Sequence, residues 1–143
     1  MLAARLKIDH NVVLQWMGQV KMVYEKPNGY CFKRAFKNSW RGIKSLWQHE
    51  KSFRMEIYCS IFLIPLIFLL HIPDFLRSML LILLILLLVV EAINSAIEAV
   101  VDRISLEIHD KSRLAKDTGS AAVGLVIFLN ILFWLYAIFI QII

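Results

Sequence analysis

From Met79 to Val90 the chain runs through twelve consecutive apolar residues, and the next residue is a glutamate. The run lies within a longer segment from about Phe75 to Val101. Two further apolar segments flank it, from about Met55 to Leu70 and from about Ala121 to Ile143. A helix of about 20 residues crosses the roughly 30 Å hydrocarbon layer of a bilayer, and all three segments approach that length. The first contains Pro65 and ends at His71-Ile-Pro-Asp74; the third is interrupted only by Gly124, Asn130 and Gln141. The expectation is an all-α membrane protein with three transmembrane helices, at about 55–70, 75–101 and 121–143. The hydrophobic share of 59% agrees, since soluble chains hold apolar content near 45–50%. At 143 residues the chain makes one domain.

The net charge of +5 raises nucleic acid as a partner, but the distribution argues against it. Eleven of the sixteen Lys/Arg residues precede the first apolar run, as in a cytoplasmic flank under the positive-inside rule. No nucleic-acid-binding motif accompanies the charge. Arg103, Lys111, Arg113 and Lys116 fill the connection between the second and third spans, whereas the first connection carries Asp74, with Arg77 just inside the next segment. The consistent topology has a cytoplasmic N-terminus, a cytoplasmic second loop and an external C-terminus. The first thirty residues lack a continuous apolar core, so no cleavable signal is expected. Cys31 and Cys59 have neither the spacing nor the partners of a metal site or disulfide framework.

Ahead of the first span, residues of about 32–53 alternate at helical spacing. Phe32, Phe36, Trp40, Ile43 and Trp47 form one face, and Lys33, Arg34, Lys37, Arg41 and Lys44 populate the remainder. A basic face opposite an aromatic one describes a helix lying in the membrane interface; a soluble helix packed on a partner is the competing reading. Pro27-Asn28-Gly29 marks a turn that sets off residues 1–28 as an extension whose role is not legible.

The polar residues that follow the apolar run are not scattered. At about 100° per residue, Glu91, Asn94, Ser95, Glu98 and Asp102 fall within roughly 100° of arc, opposite Ala92, Ile93, Ala96, Ile97 and Val100. Ionisable groups on a membrane helix are costly and usually mark a functional interior. Phe75 to Val90 is about 24 Å of helix, which puts Glu91 near the cytoplasmic edge of the hydrocarbon, at the depth of a lipid hydroxyl. A carboxylate there suits general-base work; an interhelical hydrogen bond is the structural alternative. Glu98, two turns nearer the cytoplasm, suits Mg²⁺, which takes one or two protein oxygens and keeps waters and substrate phosphates. Glu50, in Trp47-Gln-His-Glu50, is a candidate for the second carboxylate. Asp102 has two readings, an ion pair with Arg103 or membership of the polar network.

In the second loop Lys116 and Asp117 precede Gly119-Ser120. A lysine there holds phosphate as a point charge, beside a helix start with free N–H groups, or serves only as a positive-inside residue. His109 has nucleotide-contact chemistry, or is simply solvated. The phosphate-binding pattern Gly-x-x-x-x-Gly-Lys-Ser/Thr is absent.

Glu91-Ala-Ile-Asn-Ser-Ala-Ile-Glu-Ala-Val-Val-Asp-Arg103, then Glu107-Ile-His109, then Ala115-Lys-Asp-Thr-Gly-Ser-Ala-Ala-Val123 resemble the prokaryotic diacylglycerol kinase family. Ser39-Trp-Arg-Gly42 and Glu50-Lys-Ser-Phe-Arg-Met-Glu56 fit it in order and spacing, and the likeness covers residues of about 30–143. The resemblance implies a homotrimeric kinase of the inner membrane, three spans and a surface helix per subunit, that transfers the γ-phosphoryl of MgATP to diacylglycerol and yields phosphatidic acid. It implies Glu91 as general base with Asn94 beside it, and Glu50 and Glu98 as metal holders. It also implies Glu107, His109, Lys116 and Asp117, together with Glu50 and Glu98, as nucleotide contacts. Ser120, Trp40 and Trp47 join Glu91 at the lipid site. Sites in this family are composite, so the residues need not converge within one subunit. Three positions depart from the family pattern: a substrate-contacting arginine falls on Cys31, and aromatic nucleotide contacts fall on Asn38 and Ile108. A polyprenol such as undecaprenol is the alternative acceptor on the same fold. From other classes come a small proton-coupled transporter built on Glu91 and a purely structural membrane subunit. The clustering of carboxylates at one membrane edge speaks against the transporter. The subunit reading gives no reason for Glu91, Asn94 and Glu98 to share a stripe.

Overall fold

The computed structural model describes residues 31–104 and 109–142. The chain divides into two compact units, Met1–Arg34 and Ala35–Ile143. The first contributes only Cys31 and the opening residues of a helix to the described part, and the expected extension 1–28 lies outside it. Four helices follow in order: α1 (Phe32–His49), α2 (Lys51–Leu69), α3 (Asp74–Ile104) and α4 (Asp110–Ile142). The last three are long and apolar enough to cross a membrane. Helices are the expected solution for single apolar segments, because hydrocarbon offers no partner to an unpaired backbone amide.

Helix α1 buries no residue. Phe36, Trp40, Ile43 and Trp47 all stand exposed along one face, the pattern of a helix whose apolar side is meant for lipid. It ends at His49 rather than near 53. Glu50 takes an extended conformation, φ −98° and ψ 112°, and caps the start of α2. The Arg54 guanidinium reaches back to donate to the carbonyls of Trp47 (2.8 Å) and Gln48 (3.3 Å). These are orphan acceptors at a helix C-terminus, and a basic side chain satisfies them well. The first span therefore starts at Lys51, and Glu50 sits at a corner.

Pro65 lies inside α2, costing one hydrogen bond in the ladder without ending the helix. The core is at the far end of the bundle, around the turn between α2 and α3. Ile67, Ile72, Leu76, Leu80, Leu84 and Ala137 are buried together there, with Leu63, Phe133 and Trp134 packed against them. Asn130 joins α4 to α3: its amide donates to the carbonyls of Leu83 (3.2 Å) and Val126 (3.0 Å).

The third span departs from expectation in its start. Helix α4 begins at Asp110, so residues assigned to a loop, Lys111 to Ser120, are helical. The apolar pattern marks where a helix enters hydrocarbon, and this helix begins about three turns earlier in polar surroundings. His109 caps it: its ring Nδ1 lies 3.2 Å from the Lys111 amide, and its carbonyl accepts from the Arg113 amide at 3.0 Å.

Candidate active site

At the end of the bundle away from that core, α2, α3 and α4 surround a cleft of about 320 Å³. Glu50, Ser52 and Glu56 line it from the start of α2, Glu91, Asn94, Ser95 and Glu98 from α3, and Ser120 from α4. The 3.6-residue helical period places the α3 stripe on one wall, while the corner at Glu50 turns that carboxylate toward it. Glu91, Asn94 and Ser95 are buried. The Asn94 amide donates to Glu98 Oε1 at 3.1 Å, and the Ser95 hydroxyl donates to the Glu91 carbonyl at 3.0 Å. Asn94 Oδ1 and Glu56 Oε2 are buried without a hydrogen-bond partner.

Four carboxylates share this cleft, and no lysine, arginine or histidine lines it. Like charges that close together disfavour one another, so the site is short of positive charge. Among the described residues no three His, Cys, Asp or Glu side chains converge as a ready-made metal cage. The donors are all hard oxygens, and the requirement for Mg²⁺ is only one or two carboxylates with waters and phosphates completing the shell. Glu50 and Glu98 supply two carboxylates that fit that ion.

The structure brings Glu50, Glu91, Asn94, Glu98 and Ser120 together within one chain. Lys116 lies outside the cleft walls, one helical turn before Ser120, and pairs with Asp102 at 2.6 Å. That pairing answers the open question about Asp102, whose partner is Lys116 on the facing helix rather than the adjacent Arg103. The free N–H groups expected near Lys116 are not there, because the residue lies well inside α4. Asp117 is exposed, and His109 serves as the cap of α4. Glu107 and Ile108 lie outside the described residues. Trp40 and Trp47 do not line the cleft; Trp47 packs edge-on against Tyr58, ring centroids 5.9 Å apart.

Glu56, Ser52 and Ser95 carried no assigned role in the sequence reading. Glu56 had a signal, since it is an ionisable residue just inside the first apolar span. It also stands at a junction. A second, apolar groove of about 280 Å³ shares Glu56 and Ile127 with the acidic cleft, and continues past Cys59, Leu63, Leu87 and Trp134.

An all-helical membrane protein with an acidic, oxygen-lined cleft opening onto an apolar groove has the parts for chemistry on a lipid headgroup. The chain belongs to the prokaryotic diacylglycerol kinase family, whose sequence pattern matches residues 37–138 and so spans every cleft-lining residue. It is 40% identical to the diacylglycerol kinase of Escherichia coli strain K12 over 96 residues, covering 67% of this chain and 79% of the relative. Identity to the diacylglycerol kinase of Pseudomonas aeruginosa is 42% over 84 residues, 59% of this chain and 68% of that one. For the diacylglycerol kinase of Helicobacter pylori strain J99 it is 38% over 114 residues, 77% and 85% of the two chains.

Proposed function

We propose that the protein phosphorylates diacylglycerol from MgATP, releasing phosphatidic acid and ADP at the cytoplasmic face of the inner membrane. The observation that carries this is the junction at Glu56. There a cleft holding the buried Glu91 meets an apolar groove, so one lipid places its hydroxyl among carboxylates and its tail among leucines.

In this reading Glu91 accepts the proton of the lipid hydroxyl as that oxygen attacks the γ-phosphorus and the bond to ADP breaks. Asn94 holds Glu98 in place through its amide, and Ser120 borders the space for the headgroup. Glu50 and Glu98 would hold Mg²⁺, which when bound would neutralise phosphate charge. Lys116, kept in position by Asp102, faces the nucleotide with Asp117 and His109, and the family resemblance adds Glu107 as a further nucleotide contact. Phosphoryl transfer depends mainly on such positioning and charge stabilisation. Helix α1 lies on the inner-leaflet surface, where its cations meet anionic headgroups and Trp40 and Trp47 border the approach of the lipid. The working unit is a homotrimer with a cytoplasmic N-terminus.

Purified protein in mixed micelles, given labelled ATP, Mg²⁺ and either diacylglycerol or undecaprenol, tests this. The diacylglycerol is expected to be labelled in preference to the polyprenol; the reverse preference transfers the assignment to a polyprenol kinase. Glu91→Gln is expected to lower the rate by about 10²–10⁴-fold, the usual worth of a positioned base, with helicity unchanged by circular dichroism. Absence of labelling on either lipid by folded wild-type protein would refute the kinase reading, and full activity in Glu91→Gln would refute only the choice of base.

A further inference from the structure

Gly119 is buried where α4 packs against Asn94 and Ile97 of α3. A Cβ built on it collides with Asn94 Oδ1, lies 3.4 Å from Asn94 Cγ and 3.8 Å from Ile97 Cδ1. The atom in the way is the far end of a side chain, so the helices need not separate; the Asn94 amide has to turn. That amide is tied through its nitrogen to Glu98 at 3.1 Å, and its oxygen has no other partner. Gly124, later on the same helix, has nothing within 4 Å of the corresponding position. The two glycines therefore differ in what a methyl group meets, while sharing one helix and one propensity cost.

We propose that Gly119 is a positioning residue for the metal–nucleotide site: its missing side chain fixes the orientation of the Asn94 amide, which in turn aims Glu98. The proposal rests on the reading of Glu98 as a metal holder. Gly119 is not among the residues that line the cleft, and acts through a hydrogen bond one residue removed. Partners that orient a metal ligand are commonly worth about 10–100-fold in metal affinity.

The test uses the full chain in detergent, with Mn²⁺ as the probe because it shares the hard, octahedral oxygen chemistry of Mg²⁺. Mn²⁺ binding with a non-hydrolysable ATP analogue is followed by electron paramagnetic resonance, beside thermal unfolding and the kcat and KM for MgATP. Gly119→Ala is expected to weaken Mn²⁺–nucleotide binding about tenfold or more and to raise KM for MgATP without changing KM for lipid. Gly124→Ala is expected to match wild type, and both substitutions raise helix propensity equally. Asn94→Ala is expected to produce the same loss as Gly119→Ala, and the double variant no further loss, since residues that share a network are non-additive. The double variant also removes the collision, so it remains informative if Gly119→Ala alone folds poorly. Wild-type binding in Gly119→Ala, or a full additional loss on the Asn94→Ala background, overturns the proposal while leaving the site intact. Undiminished binding in Glu98→Gln overturns the metal assignment itself, and the proposal with it.

Discussion

Asp102 shows how a single residue can be underdetermined by its neighbours in sequence. Its adjacent Arg103 offered an obvious partner, yet the side chain pairs with Lys116, fourteen residues on and across the helix interface. Sequence spacing ranks partners along one helix; it does not say which face of the next helix arrives opposite. Both members are partly exposed, 55% for the Asp102 side chain and 35% for Lys116, so solvent screens the pair and it adds little to stability. Function is a different matter if the pair holds a phosphate-facing ammonium. Asp102→Asn and Lys116→Met are each expected to raise KM for MgATP about tenfold, the worth of one lost charge-assisted contact, and to leave thermal unfolding nearly unchanged. Equal losses of stability and affinity would mark the pair as a structural tie. The stripe Glu91, Asn94 and Glu98 was legible because helical periodicity is intrinsic to one segment. Glu56 was harder to assign, since its importance comes from where α2 packs, with its carboxylate between the acidic cleft and the apolar groove.

Among elements, the three spans followed directly from apolar length, which in hydrocarbon leaves little alternative to helix. Their ends did not. The corner at Glu50 and the start of α4 at Asp110 are set by polar contacts: Arg54 on the Trp47 and Gln48 carbonyls, and His109 as a cap. No hydrophobic pattern reports such contacts. The Glu50 corner matters most, since an uninterrupted helix through residue 53 would rotate Glu50 away from its present direction. Arg54→Ala removes the donor that terminates α1. The expected result is a stability loss of about 1 kcal/mol, together with weakened MgATP use of the same kind as in Glu50→Gln. Measured activity and Mn²⁺ affinity equal to wild type would show that the extended Glu50 backbone holds the corner unaided.

For the whole molecule, the sharpest question is whether a site is built from one chain or several. The family resemblance allows a composite site, but Glu50, Glu91, Asn94, Glu98 and Ser120 already line one cleft of one chain. Glu91 and Glu98 lie two turns apart on the same helix and always travel together; Glu50 comes from a different helix junction and is the member that a composite site would draw from a neighbour. Mixing subunits decides this. Glu50→Gln and Glu91→Gln variants, each expected to be impaired alone, are combined by unfolding and refolding together so that they share oligomers. If each cleft draws both carboxylates from its own chain, every site in every mixed oligomer lacks one of them, and activity does not return. If Glu50 is donated across an interface, some mixed oligomers regain a complete site, and labelling of diacylglycerol recovers, most strongly at equal mixing of the two variants. The geometry of the single chain predicts no recovery, with wild-type protein carried through the same refolding as the measure of what the procedure itself costs.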